Sequence, residues 1–412
     1  MFALYLLLIG ARIDKFYSFR YKPYNNNIAL LDSNQINRKS YSLYIHIPFC
    51  ENLCEFCFFH KFPYSEINIT KYYKSLITEI DLISKKNIQI NNIYIGGGTP
   101  TIYLPGLTDL LEKINLSFEV KSISVETDPY HINEETLNAL KTAKVNRLSI
   151  GIQSFNEQVL NKAGRVNRSN YEEIKENIIN AINLFETVNI DLIFNFKKQN
   201  IKHIDYDIKN ILELCPHQIT YYPIMEHNKG LLDDMFSLSK EKEMYFYIIK
   251  NMQKHYHMNS VWSFASKKNI YDEYLVNNPE FLCAGCGSFG YYNGFLYSNS
   301  FNLDNYINRI SKGILPIVAY KKLNSLEKIL YLLTIKLYSL RFNKFEIIEN
   351  LDNRSKNTYK SIIKYLTLSK IINIDNKYIQ LTKEGLYYWL NIMKHFYINV
   401  NTLREFCKTR EL

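Results

Sequence analysis

The sequence predicts an α/β protein built around an open, partial (β/α)6 barrel. From Ser42 to about Met225, short β-branched runs alternate with amphipathic helical stretches, which indicates repeated βα units and a parallel sheet. Six such units fall short of the eight that close a barrel, so we expect the sheet to stay open. The strands are predicted at residues 43–48, 92–95, 122–126, 147–152, 189–194 and 218–223.

Two of the intervening helices carry start signals. Asn133 stands before Glu134 and Glu135, which is typical of an N-cap followed by an acidic first turn. The run from Ser169 to Glu172 has the spacing of a capping box. Both signals place a helix between two predicted strands, as βα units require.

The C-terminal part of the chain has a different pattern. Two predicted helices precede a hairpin over residues 371–381, and a further helix follows, an order that resembles a winged helix. In isolation a winged helix is typical of DNA binding, whereas beside a barrel we expect it to cap the substrate side. The predicted divisions are an N-terminal extension (1–40), the barrel (41–233), a barrel extension with a Gly-rich segment (234–320) and a winged-helix-like α+β domain (321–412).

Composition argues against several classes of protein. The 412 residues are 47% hydrophobic, which is ordinary for a globular chain. The net charge of +10 comes from scattered Lys and Arg, so we expect an anionic ligand and no nucleic acid partner. Residues 1–10 are apolar but fall short of the roughly 18–20 residues of a transmembrane helix, although this tip could lie on a membrane. With seven cysteines and no signal peptide, we expect a cytoplasmic protein without a disulfide framework.

Three cysteines, Cys50, Cys54 and Cys57, follow the first predicted strand. Their CxxxCxxC spacing supplies three thiolates to a cluster of four irons, which leaves one iron open to a small molecule. Fully ligated electron-transfer clusters and closed zinc sites use four ligands, so three indicate an incomplete, reactive site. The alternative is a structural zinc loop, or cysteines that merely pack.

Other strands also end in residues suited to binding. The run Gly-Gly-Gly-Thr-Pro at residues 96–100 follows the second strand, where glycines let a ligand approach exposed backbone N–H groups. Glu126 and Gln153 end the third and fourth strands, Arg165 lies in the next loop, and Asp191 lies in the fifth strand. Because the carboxyl ends of parallel strands meet at one edge, we expect these residues to ring one ligand. Each alone is also compatible with a capped loop or a surface ion pair.

The cysteine and glycine motifs resemble those of the radical S-adenosylmethionine (SAM) superfamily. In that superfamily the open iron binds the amino and carboxylate groups of SAM, and reduction of the cluster releases a 5′-deoxyadenosyl radical. The chain is most similar to the oxygen-independent coproporphyrinogen III oxidase-like branch, from about Tyr41 to Met393. The motifs that carry this resemblance are residues 44–50, 96–101, 145–155, 191–193 and the winged-helix end.

The resemblance implies specific cofactors and contacts. It places a [4Fe-4S] cluster on Cys50, Cys54 and Cys57, with one SAM molecule or two, and a flavodoxin- or ferredoxin-type reductant. The implied SAM contacts are Tyr44, Phe56, Gly97, Gly98, Thr99, Glu126, Gln153, Arg165 and Asp191.

Two departures from the family's pattern bear on function. The oxidase has a further cysteine two positions after the third cluster ligand, where this chain has Phe59, so decarboxylation of coproporphyrinogen is disfavoured. The related haem chaperone carries a His-Asn…Tyr-Trp haem-binding motif that the corresponding stretch, residues 261–272, lacks. The family's methyltransferases, cyclopropanases and anaerobic haem-degrading enzymes remain.

We therefore expect a radical SAM enzyme that acts on a tetrapyrrole or another aromatic substrate, by hydrogen abstraction or by transfer of a methyl group. A second SAM would lie near Gly285 and Gly287. Cys283 and Cys286 form a CxxC pair that could bind metal or shuttle electrons, or are ordinary loop cysteines. The alternatives are a haem chaperone and a coproporphyrinogen III dehydrogenase.

Overall fold

The computed structural model describes residues 22–24, 31, 40–165, 171–225, 238–268, 278–349 and 351–408. The apolar start at residues 1–10, Ser169 of the predicted capping box and part of the 261–272 stretch lie outside these ranges. Within the described ranges, no helix is long and apolar enough to cross a membrane.

A single large sheet forms the centre of the fold. The described residues form the strands β1 Lys22–Pro23, β2 Tyr41–Ile47, β3 Phe49–Cys50, β4 Phe62–Pro63, β5 Ile90–Gly97, β6 Ser122–Thr127, β7 Arg147–Gln153, β8 Thr187–Phe194, β9 Gln218–Pro223, β10 His257–Met258, β11 Ser263–Ala265, β12 Phe281–Ala284, β13 Phe289–Tyr292, β14 Phe295–Asn299, β15 Ile317–Lys322, β16 Arg341–Asn343, β17 Ile372–Ile374 and β18 Tyr378–Leu381. Thirteen of these described strands form the large sheet, in the order β1-β15-β14-β13-β12-β2-β5-β6-β7-β8-β9-β11-β10, and β3 pairs with β4 in a separate two-stranded sheet.

Helices follow most of the parallel strands, as in repeated βα units. The helices are α1 Glu66–Ser84, α2 Leu104–Ser117, α3 Glu134–Thr142, α4 Glu157–Lys162, α5 Tyr171–Leu184, α6 Ile201–Leu214, α7 Leu238–Met252, α8 Leu303–Ser311, α9 Ser325–Tyr338, α10 Phe345–Ile348, α11 Asn353–Leu368 and α12 Lys383–Lys408. The predicted N-cap of α3 is confirmed, because the Asn133 side chain accepts a hydrogen bond from the backbone N–H of Thr136.

The six predicted strands are all present as β2 and β5 to β9, and they pair in parallel in chain order. The α/β fold class is therefore confirmed. The sheet does not close on itself: β12 pairs in parallel with β2, and antiparallel strands β13 to β15 continue beyond it. This extension was not predicted as part of the same sheet.

Every second residue of the parallel strands packs under the surrounding helices. Ile45, Ile95, Val125 and Leu148 are fully buried members of this hydrophobic layer. Because side chains alternate between the two faces of a strand, the residues between them point to the inside of the open barrel. That inner face carries the site.

The C-terminal segment has the predicted order of elements. The hairpin is formed by β17 and β18, and helices α9, α11 and α12 flank it. The structure adds the short strand β16, which pairs with β18 to give a three-stranded sheet in the order β16-β18-β17. Helix α12 runs on toward the open barrel.

A buried carboxylate joins the Gly-rich segment to the first helix. Glu79 of α1 accepts hydrogen bonds from the backbone N–H of Gly285 at 2.8 Å, the side-chain amide of Asn299 at 2.8 Å and the hydroxyl of Tyr306 at 2.6 Å. Burial raises the pKa of Glu79 to about 7, although these three donors oppose the shift. The network holds β12, β14 and α8 against the barrel.

Candidate functional site

One cavity at the carboxyl ends of the parallel strands gathers the predicted site residues. Its wall includes all three motif cysteines and all of the predicted SAM contacts, which are Tyr44, Phe56, Gly97, Gly98, Thr99, Glu126, Gln153, Arg165 and Asp191. Residues that are far apart in sequence therefore meet at one edge of the sheet, as the parallel architecture requires.

The three motif cysteines lie half-buried at the cavity wall on a loop tied to the barrel. Lys61 Nζ donates to the backbone carbonyls of Cys54 at 2.5 Å and Cys57 at 3.2 Å, which curls the loop around its ammonium group. Burial raises the pKa of the Cys50 thiol to about 12. Burial also raises the pKa of Cys54, and the nearby guanidinium of Arg165 opposes that shift.

The glycine run packs closely against its neighbours. A Cβ on Gly96 would lie 2.6 Å from the Glu126 carboxyl carbon, and one on Gly98 would lie 2.4 Å from the carbonyl oxygen of Phe49. Gly97 has a φ of +118°, and a Cβ there would lie 2.5 Å from the His46 ring. Each glycine is thus required where the backbone passes beside another group.

The expectation of exposed N–H groups in this run is wrong. The N–H of Gly97 donates to Glu126 Oε2 at 2.9 Å. The N–H groups of Gly98 and Thr99 donate to the carbonyls of Ile47 and Phe49, each at 2.8 Å. The Gly98 and Thr99 donors fasten the run to the end of β2 and to β3, where the cysteine loop begins, and all three donors are already used within the protein.

A hydrogen-bonded chain orients Tyr44. The His46 Nε2 atom lies 2.8 Å from the carbonyl oxygen of His60, and His46 Nδ1 lies 2.8 Å from the Tyr44 hydroxyl. A carbonyl oxygen can only accept, so Nε2 carries the proton and Nδ1 accepts from Tyr44. Burial lowers the pKa of His46 to about 4, which keeps the ring neutral and this tautomer in place.

Glu126 and Asp191 are the acidic groups of the inner ring. Tyr94 donates to Glu126 Oε1 at 2.8 Å, and burial raises the pKa of Glu126 despite this bond and the one from Gly97. Asp191 accepts from Ser149 Oγ and from Asn189 Nδ2, each at 2.8 Å. Both carboxyl groups are held by neutral donors at the cavity wall, where they can accept further hydrogen bonds from ligand hydroxyls.

Gln153 lies at a bend in the end of β7. Its φ is +70°, an uncommon value for a residue with a side chain, and the pairing with β8 shifts register between Gly151 and Gln153. The next two residues are held by buried Asp207, which accepts from Ser154 Oγ at 2.9 Å and from the N–H of Phe155 at 2.6 Å. Asp207 therefore fixes the turn that aims Gln153 into the cavity.

Arg165 belongs to a charged rim that also includes Glu51, Asp128 and His131 and lies beside the cysteine loop. His131 Nδ1 lies 2.7 Å from Asp128 Oδ1, and His131 Nε2 lies 3.7 Å from Glu51 Oε1. Burial lowers the pKa of His131, but Asp128 and Glu51 outweigh this and raise it. His131 and Arg165 in turn outweigh the effect of burial on Asp128 and lower its pKa. This rim joins the cysteine loop, through Glu51, to the segment that follows β6.

The polar residues at alternate positions of the parallel strands are a further signal in the sequence, which the prediction of the strands did not use. Strands buried in parallel sheets usually consist of continuous apolar residues, whereas here alternate residues are polar. Asn189, for example, donates to Ser149 Oγ at 2.8 Å and accepts from Thr220 at 2.9 Å across three strands. The polar residues of this inner layer include Ser42, Tyr44, His46, Tyr94, Ser124, Glu126, Arg147, Ser149, Asn189, Asp191, Gln218 and Thr220.

One part of the cavity wall is aromatic. The Phe58 and Phe59 rings stack with centroids 4.6 Å apart, and Phe58 also packs against Tyr397 of α12 at 5.8 Å. Tyr397 and Arg404 of α12 line the cavity, which agrees with the expectation that the C-terminal segment caps it. These two residues were not predicted as site residues.

The structure gives the Gly-rich segment a packing role. A Cβ on Gly285 would lie 2.4 Å from the His46 carbonyl oxygen, and one on Gly287 would lie 2.4 Å from the His60 ring. The close approach that these glycines permit is therefore to the protein itself. Cys283 and Cys286 are buried, and burial raises the pKa of both thiols, which favours ordinary core cysteines over a metal or redox pair.

The chemistry of the donor set fits a [4Fe-4S] cluster and SAM. In the part of the chain that the structure describes, no group of three or more His, Cys, Asp or Glu side chains is arranged to hold a metal ion. A four-iron cluster does not need such convergence, because each thiolate binds a different iron. Among the described residues, the cysteines that line the cavity are Cys50, Cys54 and Cys57, and the polar ring that suits SAM lies beside them.

Comparisons with known proteins agree with this geometry. The sequence model of the Radical SAM superfamily matches residues 44–211. The heme chaperone HemW of Lactococcus lactis subsp. lactis is 30% identical over 390 residues, which cover 88% of this chain and 98% of that protein. The oxygen-independent coproporphyrinogen III oxidase of Escherichia coli is 31% identical over 191 residues, 44% of this chain and 41% of that protein.

A similar solved structure extends over most of the chain. Coproporphyrinogen III oxidase (HemN) from Escherichia coli matches with a TM-score of 0.71 at 21% identity, covering 88% of this chain and 90% of that one. The two proteins therefore share their fold.

Proposed function

The chain belongs to the radical SAM superfamily, within the family of oxygen-independent coproporphyrinogen III oxidases and HemW chaperones, and on this premise we propose that it is a haem-binding trafficking protein. Its cavity would hold a [4Fe-4S] cluster, SAM and the macrocycle. The observation that carries the proposal is the composition of this cavity, which joins a three-cysteine loop and a polar ring to an aromatic wall. A planar conjugated ligand stacks well on aromatic rings.

The relatives support haem handling over methyl transfer. The HemW proteins of Lactococcus lactis and Bacillus subtilis align with 88% and 84% of this chain, and both are named as heme chaperones. The absence of the His-Asn…Tyr-Trp motif means that this chain uses other residues to hold haem. The aromatic wall, with Phe58, Phe59 and Tyr397, is the surface in the cavity best suited to it.

Different residues of the cavity bind the cluster and SAM. Cys50, Cys54 and Cys57 hold the cluster, which when bound supplies an electron to the sulfonium of SAM. Glu126 and Asp191 accept hydrogen bonds from the hydroxyl groups of SAM. The neutral His46 keeps the Tyr44 hydroxyl turned toward its Nδ1 atom.

All of the predicted SAM contacts lie at the cavity wall. This favours a second candidate function, that of an enzyme that cleaves SAM and modifies the bound tetrapyrrole. A trafficking protein returns its haem unchanged, whereas an enzyme converts it and consumes SAM in proportion. The two functions therefore make opposite predictions for the fate of haem under reducing conditions.

Haem titration into the anaerobically reconstituted protein tests the proposal. We expect stoichiometric haem binding without SAM and recovery of unmodified haem after addition of SAM and dithionite. Conversion of haem to a new product, with a matching amount of 5′-deoxyadenosine, would favour the enzyme. Failure to bind haem at all would refute the trafficking role.

Variants of the aromatic wall provide a matched comparison. Phe58→Ala removes a ring of the cavity wall, and we expect roughly tenfold weaker haem binding because stacking contributes about 1 kcal/mol or more. Phe345→Ala removes a ring that is 47% exposed outside the cavity, and it should leave haem affinity unchanged. Equal affinities for both variants would mean that haem binds elsewhere.

A further inference from the structure

Helix α12 delivers a cation to the aromatic side of the cavity. Arg404 lies near the end of this helix, lines the cavity, and has a side chain that is only 13% exposed. Its Nη1 atom donates to the backbone carbonyl of Phe58 at 3.0 Å, across 346 residues of sequence. The guanidinium is therefore held beside the ring on which a planar ligand would stack.

The guanidinium retains capacity to bind an anion. It presents five N–H donors in a planar fork. In the described part of the chain, its contacts engage Nη1 with Phe58 and place Nε 3.4 Å from Glu405 Oε1. Glu405 is 60% exposed, and an ion pair between such a side chain and Arg404 is weak because water screens it. A ligand carboxylate that reaches the cavity can therefore compete for these donors.

The other cations of the cavity wall, Lys61 and Arg165, act on the cysteine loop and the charged rim. Lys61 donates to the carbonyls of Cys54 and Cys57 within the cysteine loop. The charge of Arg165 acts on Cys54 and on Asp128 at the rim. Arg404 is thus the cavity cation whose hydrogen bond goes to a residue of the aromatic wall, Phe58.

A buried ion pair fixes the helix that carries Arg404. Lys394, 6% exposed, pairs at 2.6 Å with Glu241, whose side chain is fully buried, and Glu241 also accepts from Tyr387 at 3.1 Å. These contacts pin α12 to helix α7 about three turns before Arg404. The position of the guanidinium is therefore set before a ligand arrives, which lowers the entropy lost on binding.

We propose that Arg404 binds a carboxylate of the cavity's ligand and so selects planar conjugated molecules that carry acidic side chains. The inference rests on the proposed function, since it concerns the ligand of the same cavity. Arginine suits the task because its fork pairs with both oxygens of a carboxylate at once. The macrocycle stacks on Phe58 and Tyr397 and directs one acidic arm toward α12.

Haem and haem dimethyl ester separate this role from general packing. The two share the macrocycle, but esterification removes both carboxylate charges. We expect the parent protein to bind haem about 10- to 100-fold more tightly than the ester, because a hydrogen bond to a charged group is lost. Arg404→Ala should bind the two with similar affinity, and Arg404→Lys should restore part of the preference.

Controls keep the outcomes distinct. Arg354→Ala removes an exposed arginine of α11 that does not line the cavity, and it should keep the parent's preference for haem. Arg404→Gln retains a donor for the Phe58 carbonyl without charge, so it reports on the carboxylate contact if Arg404→Ala misfolds. SAM affinity, measured on the same samples, should be unchanged in each variant.

The result that overturns the inference is specific. If Arg404→Ala and Arg404→Gln bind haem and still discriminate against the ester as the parent does, Arg404 does not bind the carboxylate. If the parent binds neither haem nor its ester, the proposed function itself is wrong. A preference lost in Arg404→Ala and Arg404→Gln and kept in Arg354→Ala supports the contact.

Discussion

Replacing Glu79 by glutamine should change the pH dependence of stability. A pKa of about 7 in the folded chain, against an ordinary 4.5, means that ionising this buried carboxyl costs about 3 kcal/mol more in the folded state than in the unfolded one. Glutamine keeps the shape of the side chain but carries no titratable proton. The variant therefore lacks this contribution at every pH.

The sign follows from where the proton is held. Below about pH 4.5 the carboxyl is protonated in both states, and its contribution to stability is fully present. Between about pH 4.5 and 7 the unfolded chain releases the proton while the folded chain keeps it, so the free energy of unfolding falls as the pH rises. Above pH 7 the carboxyl is ionised in both the folded and the unfolded state. The difference in the free energy of unfolding between the parent and Glu79→Gln then becomes constant.

Thermal unfolding at a series of pH values measures the effect. With an unfolding entropy of about 2.1 cal/mol/K per residue over 412 residues, 3 kcal/mol corresponds to about 3–4 °C in Tm. The Tm of the parent relative to Glu79→Gln should fall by this amount between pH 4.5 and 7.5. A constant offset is also expected, because one amide oxygen cannot serve all three donors and an unmatched donor costs about 1–3 kcal/mol.

A matched control lies on the same helix. Glu66 is exposed in the first turn of α1, so Glu66→Gln should keep the fall in Tm between pH 4.5 and 7.5 that Glu79 causes. If the difference between the parent and Glu79→Gln stays constant across the range, the buried carboxyl does not titrate as its environment indicates.

The remaining predictions concern the cavity. Cys54→Ala should abolish the [4Fe-4S] cluster after anaerobic reconstitution, as measured by iron and sulfide content; near-stoichiometric zinc without iron in the parent would instead favour the zinc alternative. Glu126→Gln and Asp191→Asn should each weaken SAM binding about 10- to 100-fold while the cluster is retained, since each replaces an acceptor oxygen by an NH2 group and an unmatched ligand hydroxyl costs about 1–3 kcal/mol; unchanged affinity in equilibrium dialysis would mean that the ring has been misassigned. Asp207→Ala should also lower SAM affinity, although Asp207 is not among the SAM contacts, because the turn that aims Gln153 loses its anchor; wild-type SAM affinity would contradict that role. Reduction with dithionite and SAM should yield 5′-deoxyadenosine without S-adenosylhomocysteine, and appearance of the latter would return methyl transfer to consideration.

The position of the cysteine loop and of the polar ring could be predicted because both depend on local signals. A β-branched run followed at once by Cys50, Cys54 and Cys57 indicates a strand and its loop without knowledge of the rest of the chain. Parallel pairing then brings the ends of successive strands together, so Glu126 and Asp191 reach the same cavity. Strand order did not need to be known in detail, because consecutive βα units are usually neighbours.

Other features depended on contacts between distant segments. Strand β12 has four residues and reads Phe-Leu-Cys-Ala, a pattern too short to indicate a strand, and it forms because β2 offers a parallel partner more than 200 residues away. The run Gly96 to Gly98 was correctly placed, but its N–H groups bond to the protein because His46, Phe49 and Glu126 crowd around it. Packing of this kind has no signature in the local sequence.

The sequence by itself determined the α/β class, the six central strands, the cysteine loop and the residues that ring the cavity, because hydrophobic periodicity and strand-end motifs are local properties of the chain. Only the tertiary structure decided which distant segments complete the wall of that cavity. It placed Arg404 against the Phe58 carbonyl across 346 residues and buried Glu79 beneath the Gly-rich segment. The physical reason is that such contacts arise from the close packing of separately formed elements, which adjacent residues do not encode.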